Sequence, residues 1–139
     1  MKIQLKLAPD GTHTIATDEQ NNAVNLYLPE TAGGASTGIR PMQMLIMGLA
    51  GCAAVDILLI LKKQRQEVTA FSVDIEADRE QDKEPALWTN AHLVYSFLGQ
   101  VDPAKAQKAI ELSMEKYCSV AETLRRAGAE LTWEMKITE

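Results

Sequence analysis

Apolar and polar residues alternate along several stretches of the chain, a pattern typical of strands that bury one face. Two such stretches flank the turn Pro9-Asp10-Gly11, so residues 1–17 are predicted to form a hairpin. Further strands are predicted at Ala23 to Leu28, Phe71 to Asp78, Leu87 to Leu98 and Leu131 to Thr138. The second and third of these flank a charged turn, which favours antiparallel pairing between them.

One long run is apolar on every side. It begins at Pro41, a residue suited to the first position of a helix, and reaches a basic end at Lys62 and Lys63 that suits a helix C-terminus. The run predicts a helix from Pro41 to Gln66. Because 139 residues cannot surround such a helix, we expect a second copy of the chain to cover part of it.

A membrane span is the alternative interpretation of the run from Met44 to Leu61. Asp56 lies inside this run, and an acidic side chain near the bilayer centre costs about 2.5 to 3.5 kcal/mol. The rest of the chain also supplies amphipathic partners for the helix. The pattern therefore favours burial within protein and predicts no membrane partner.

Two more helices are predicted in the last third of the chain. The first covers 102–117 and opens with an Asp-Pro pair, a cap followed by the proline that suits the first helical position. The second covers 119–127, from a capping box between Ser119 and Glu122 to a left-handed stop at Gly128. The order of strands and helices predicts the α+β class.

Composition narrows the class of protein. A chain of 139 residues and 15.3 kDa fits a single domain, which we place at residues 1–139. Its 14 Lys and Arg against 19 Asp and Glu leave a net charge of -5, which repels nucleic acid. The two cysteines do not make a disulfide scaffold, and no leader pattern opens the chain, so we expect a cytoplasmic protein.

Cys52 is the first candidate for chemistry. Gly51, Ala53 and Ala54 surround it and leave the sulfur little hindered. The alternative is a buried cysteine that acts only as a small hydrophobic residue. Asp56 lies one turn further on, where its carboxylate raises the pKa of a neighbouring thiol unless a cation or a helix end neutralises it.

Cys118 is the second candidate, directly before the predicted helix that starts at Ser119. Free amides and the helix dipole favour an anion there, although a cysteine at such a junction can also serve packing alone. We therefore hypothesise that Asp56 accepts the amides of this helix and so brings Cys118 to Cys52.

Other chemistry finds little support. His13 and His92 lack zinc-like spacing to either cysteine, so the sequence predicts no metal site and no cofactor. The glycine-rich loop before the long helix lacks the lysine of a Walker motif, although its amides suit a small anion. The acidic stripe Asp74, Glu76 and Asp78 is expected to be a solvated strand face.

Two segments, RPMQMLIMGLAGCAAVDILLILKK and AIELSMEKYCSV, resemble the OsmC/Ohr family. The family pattern is a Pro-led helix carrying Gly-Cys and then Asp, followed later by Lys-Tyr-Cys before a short helix. The resemblance implies an OsmC-like α+β fold with antiparallel sheets around two central helices and an intertwined homodimer. In the peroxidase members the helix cysteine attacks the peroxide and the later one resolves it as a disulfide; these roles fall on Cys52 and Cys118.

The chain departs from the peroxidase pattern in two places. A glutamate follows the proline in those members, or stands one position later, where this chain has Met42 and Gln43. They also pair the thiolate with an arginine from the N-terminal strands, whereas the first arginine here is Arg40. Arg40 and Gln43 are therefore supporting candidates beside Asp56, and a thiolate without the family's pair is expected to react more slowly.

The sequence favours a dimeric, thiol-dependent reductase of small lipophilic hydroperoxides, regenerated by an external dithiol. The alternative is an OsmC-like dimer without peroxidase activity that binds an apolar small molecule at the subunit interface. A dimer scaffold without any ligand is a third interpretation.

Overall fold

The computed structural model describes all 139 residues and contains two three-stranded sheets and three α-helices, so the predicted α+β class is confirmed. The elements in chain order are β1 (Ile3–Leu7), β2 (Thr14–Asp18), β3 (Ala23–Leu26), α1 (Pro41–Lys63), β4 (Glu67–Arg79), β5 (Trp88–Gln100), α2 (Pro103–Leu112), α3 (Ser119–Arg126) and β6 (Glu130–Thr138). The chain divides into two compact units, Met1–Leu45 and Ile46–Glu139.

The first unit contains an antiparallel meander in the order β1-β2-β3, which confirms the predicted hairpin and third strand. Asp10 stabilises the hairpin turn by accepting hydrogen bonds from the amide of Thr12 at 3.0 Å and from its hydroxyl at 2.7 Å. The apolar side chains of β1 remain more than half exposed within this unit: Ile3, Leu5 and Leu7. They leave an apolar face available for a further partner.

The glycine-rich loop before α1 is held by its own backbone. A short 3₁₀ turn, Glu30–Ala32, begins the loop, and the amides of Gly34 and Ala35 donate to the carbonyls of Pro29 and Thr12. Because these amides are engaged inside the unit, the expected suitability of the loop for a small anion is not supported.

Helix α1 is about 34 Å long at 1.5 Å per residue. It ends three residues before the predicted Gln66, because Arg65 takes a left-handed conformation at φ 54°. One face is fully buried through residues spaced four apart: Leu49, Ala53, Ile57 and Leu61. The helix is long and apolar enough to cross a membrane, with a mean hydropathy of 2.5, but core helices of soluble proteins pass the same test.

The second sheet has the order β4-β5-β6. As predicted, β4 and β5 pair antiparallel, whereas β6 joins β5 in parallel register, with Trp133 opposite Leu93. The expectation of antiparallel sheets was therefore wrong for this strand. The reason is the connection, since α2 and α3 return the chain to the start of β5 and a crossover of this kind produces parallel pairing.

The core of the second unit lies on one face of this sheet. Alternate residues of β5 are buried there, including Leu93 and Tyr95, and pack in one cluster with α1 and α2. On β4 the acidic residues Asp74, Glu76 and Asp78 are exposed, which confirms the predicted solvated face.

Helix α2 begins as predicted, with the side chain of Asp102 accepting the amide of Lys105 at 3.0 Å. It then continues as a π-helical turn, Ser113–Tyr117, before α3. The predicted capping box was wrong, because the turn places Cys118 and not Ser119 in the extended capping conformation, at φ -74° and ψ 100°. The predicted stop at Gly128 is confirmed by its φ of 101°.

Candidate thiol site on helices α1 and α3

The structure brings the two cysteines of the second unit together as free thiols. Cys52 lies half-buried on α1, and Cys118 is 4% exposed at the start of α3. The Cys52 side chain is close enough to act on the pKa of Cys118 both as a hydrogen-bonding partner and as a charge. The two thiols are therefore neighbours within the second unit.

Burial decides the protonation of Cys118. It raises the pKa of this thiol to about 11, with Cys52 adding to the rise, although the sulfur accepts the amide of Ala121 at 3.4 Å. The expectation that the helix end would favour an anion at Cys118 was wrong, because the amides of Ala121 and Val120 do not offset the loss of water. Cys118 is therefore a neutral thiol at pH 7.

Asp56 meets a different partner from the one hypothesised. Its Oδ2 accepts a hydrogen bond from the hydroxyl of Ser113 at 3.1 Å. Cys118 engages the amides that begin α3. Its sulfur accepts a hydrogen bond from the amide of Ala121, and its carbonyl accepts one from the amide of Glu122 at 3.1 Å. Direct anchoring of α3 by Asp56 was therefore a wrong prediction.

Ser113 is a residue of the site that the sequence analysis missed. It is fully buried at the start of the π turn, and its carbonyl accepts the amide of Cys118 at 2.8 Å. The signal was present, since a serine on the apolar stripe Ala106, Ala109, Ile110 implies a buried hydroxyl, and buried hydroxyls find partners. The periodicity of the sequence does not indicate which residue is the hydrogen-bonding partner of this hydroxyl.

Tyr95 was also missed, because the pattern identified it only as a strand residue. It is fully buried, and its hydroxyl donates to the sulfur of Met114 at 3.2 Å. Burial raises its pKa above the ordinary tyrosine range, and the negative charge of a Cys118 thiolate raises it further. A neutral phenol thus lies within electrostatic reach of Cys118.

Arg40 and Gln43 belong to the first unit. The Arg40 guanidinium lies 5.0 Å from the ring centroid of Tyr27, and its amide donates to the side chain of Gln43 at 3.4 Å. Their support of the thiols therefore stays a prediction.

The arginines of the second unit that lie near Cys118 in sequence are engaged elsewhere. Arg125 bonds Glu122 at 3.1 Å and the carbonyl of Met114 at 2.6 Å, and Arg126 bonds Glu122 at 2.8 Å. Cys118 lines a surface groove of about 340 Å³ with Lys116, Tyr117, Ser119, Glu122, Thr123 and Arg126. No group of three His, Cys, Asp or Glu side chains is arranged to hold a metal ion.

The profile of a family described as OsmC-like protein matches residues 33–134, well over half of the chain. Protein YhfA of Escherichia coli (strain K12) is 39% identical over 88 residues, which are 63% of this chain and 65% of YhfA. The chain therefore spans 65% of the length of this relative.

Solved structures share the fold over nearly the whole chain. A hypothetical protein from Aquifex aeolicus VF5 has a TM-score of 0.81 at 26% identity, covering 99% of this chain and 97% of that one. The organic hydroperoxide resistance protein OhrB of Bacillus subtilis has a TM-score of 0.65 at 19% identity, and the match covers 97% of this chain and 96% of OhrB. These matches confirm the fold that the two sequence segments implied.

Proposed function

The chain belongs to the family of OsmC-like proteins, and on this premise we propose that it is a thiol-dependent reductase of organic hydroperoxides. The observation that carries the proposal is the pair of neighbouring free thiols, the half-buried Cys52 and the buried Cys118. The fold shared with an organic hydroperoxide resistance protein agrees with this chemistry.

Burial assigns the roles within the pair. Cys118 is 4% exposed and burial disfavours its thiolate, whereas Cys52 is half-buried, so Cys52 is the nucleophile and Cys118 the resolving thiol. The Cys52 thiolate attacks the peroxide, so that an S–O bond forms, the O–O bond breaks and the alkoxide leaves as the alcohol with a proton from solvent. Cys118 then attacks the sulfenic sulfur, and its proton leaves with the hydroxide as water.

The cycle closes when an external dithiol reduces the Cys52–Cys118 disulfide by thiol–disulfide exchange. A cytoplasmic location, where thiols are kept reduced, is part of the proposal. On its core side the pair packs in one cluster with the fully buried Leu49, Ile57 and Tyr95, and this apolar side suits a lipophilic peroxide over a hydrated one.

A homodimer is also part of the proposal. In the second unit, α1 exposes apolar side chains such as Met47 at 52%, Val55 at 65% and Leu59 at 52%. Monomeric proteins rarely leave a continuous apolar face of this kind in water. A second copy that covers this face removes it from water and brings two thiol sites into one particle.

One observation favours a second candidate function. Neither sulfur has an arginine or lysine among its hydrogen-bonding partners in the second unit, and Arg125 and Arg126 are engaged by Glu122. A thiol site without a cation reacts slowly with peroxide, so the alternative is an OsmC-like dimer that binds an apolar small molecule without turnover.

Counting free thiols after peroxide treatment decides between the two. With one equivalent of cumene hydroperoxide, the reduced protein is expected to lose both thiols. Cys118→Ser is expected to lose its one thiol and to yield a sulfenic acid that dimedone traps, while Cys52→Ser keeps its thiol because Cys118 stays protonated. If both thiols of the unsubstituted protein survive, the reductase is excluded and the binding protein remains.

A further inference from the structure

Ser113 attaches the π turn to the part of α1 that carries Cys52. Its hydroxyl lies 3.1 Å from Oδ2 of Asp56 and 3.5 Å from the carbonyl of Ala53. Ala53 directly follows Cys52 in the chain, and Asp56 lies one helical turn beyond it. The hydroxyl therefore contacts α1 next to the first thiol.

The backbone of the same residue holds the second thiol. The carbonyl of Ser113 accepts the amide of Cys118 at 2.8 Å, five residues on, which closes the π turn. Directly after this bond the chain leaves the helix at Cys118. Through its side chain and its carbonyl, Ser113 thus connects Asp56 on α1 to Cys118.

Packing alone does not account for a serine at this position. Apart from the phenol of Tyr95 and the thiol of Cys118, Ser113 carries the only polar side chain in the buried core, where its neighbours on α2 are Ala106, Ala109 and Ile110. A buried hydroxyl costs free energy unless it is hydrogen-bonded, and alanine would fill the space without that cost. The hydroxyl is therefore explained better by the contact it makes than by the volume it fills. A π turn at the end of a helix is also a feature often found at functional sites.

We propose that Ser113 and Asp56 are positioning residues, which hold the Cys118 sulfur against Cys52 and so raise the effective concentration of the two thiols for disulfide closure. The inference rests on the proposed function only in taking Cys52 and Cys118 as the redox pair. It does not depend on peroxide as the oxidant.

Glutathione buffers measure this effective concentration directly. Glutathione disulfide oxidises the pair in two exchanges: both S–H bonds break, the Cys52–Cys118 S–S bond forms, and two electrons and two protons leave with two molecules of glutathione. The equilibrium constant has units of concentration and reports how well the fold presents one thiol to the other.

Ser113→Ala is expected to lower this constant about tenfold, which for a two-electron couple raises the reduction potential by about 30 mV. The matched control is Ser72→Ala, which removes an exposed hydroxyl from β4 and is expected to leave the constant unchanged within twofold. Equal constants for the two variants would overturn the proposal.

A second pair of variants changes Asp56, the hydrogen-bonding partner of Ser113. These variants keep the proposal testable if Ser113→Ala does not fold. Asp56→Asn keeps an oxygen acceptor, so its equilibrium constant with glutathione is expected to stay within threefold of that of the unsubstituted protein. Asp56→Leu has a similar volume but no acceptor, and its equilibrium constant is expected to fall about tenfold. The double variant Ser113→Ala/Asp56→Leu should lose no more than either single one, because one contact is broken in all three. If Leu and Asn at position 56 give the same constant, the positioning role is wrong.

The two proposals fail separately. If cumene hydroperoxide leaves both thiols intact while Ser113→Ala still shifts the glutathione equilibrium, the reductase is excluded and the positioning role stands. If peroxide consumes the thiols while the Ser113 and Asp56 variants match the Ser72 control, the reductase stands and the positioning role is wrong.

Discussion

At the scale of single residues, opposing effects act on the sulfur of Cys118. The amides of Ala121, at 3.4 Å, and Val120 favour the thiolate, while burial and the neighbouring Cys52 disfavour it. Burial is the larger effect and raises the pKa to about 11 from an ordinary value of 9.0. Cys118 thus remains protonated over the whole neutral range.

This raised pKa predicts a fall in stability at alkaline pH. Between pH 9 and 11 the unfolded chain loses the Cys118 proton while the folded protein keeps it, so folding is opposed as the pH rises through this window. Stability from this source is complete below pH 9 and is lost by pH 11, with a total on the order of 2 to 3 kcal/mol.

Urea unfolding of the reduced protein at pH 8 and pH 10.5 measures this loss. The control is Cys118→Ala, which is expected to show a smaller fall between the two pH values, even if its stability is lower at both. Tyr95 also keeps its proton longer when folded, mainly because it is buried, so both proteins are expected to lose some further stability above pH 10. Equal falls in the two proteins would mean that the thiol titrates normally.

At the scale of elements, the end of the β4–β5 ribbon depends on one glycine. The pairing shifts register between Val68 and Ala70, and Gly99 lies opposite Val68 at φ 123°. A Cβ at this position would overlap the carbonyl oxygen of Glu67 and approach the amide of Thr69. The ribbon therefore tolerates only glycine here, three residues before the cap of α2 at Asp102.

Gly99→Ala and Gly128→Ala together separate steric overlap from backbone strain. Both residues have positive φ, but a Cβ at Gly128 meets nothing within 4 Å. Gly128→Ala is expected to cost about 1 to 2 kcal/mol for the left-handed conformation alone. Gly99→Ala is expected to cost about 2 to 5 kcal/mol, since overlap adds to strain. Chemical denaturation measures both, and equal costs would contradict the account of Gly99.

At the scale of the whole molecule, the free energy of α1 depends on what covers it. Its buried face uses Leu49, Ala53, Ile57 and Leu61, and the opposite face exposes leucine, methionine and valine to water. Added Cβ atoms at Gly48 and Gly51 meet nothing, so this face also offers room for close approach of another helix. Association of two copies is the expected outcome.

Val55→Lys is expected to shift the protein toward a monomer of 15.3 kDa, because the new charge would be buried without a partner. Val55 is 65% exposed in the single chain, so the substitution should leave its fold intact. We expect the dimer dissociation constant to rise at least about 100-fold, equivalent to about 2.8 kcal/mol. The matched control, Leu87→Lys, is expected to remain dimeric, since that leucine, 42% exposed, lies in the turn before β5. Sedimentation of the unsubstituted protein as a monomer would refute the dimer.

The amino-acid sequence alone determined the order of the elements and the residues that start α1 and α2. The Asp102-Pro103 start of α2, the alternation in β4 and the left-handed Gly128 all agree with the structure. These features depend on contacts between neighbours in the chain and on a period of two or 3.6 residues, so a linear sequence carries them in full. The proximity of Cys52 and Cys118 was hypothesised from the predicted helix start, and the family resemblance added the roles of the two thiols, which no local pattern contains.

Only the tertiary structure decided how distant residues act on one another. It placed Asp56 on the hydroxyl of Ser113, 57 residues away, and not on the amides of α3. It also gave β6 its parallel direction and made burial outweigh the helix end at Cys118. Each of these outcomes depends on which surfaces exclude water together, and that is a property of the packed chain and not of any segment within it.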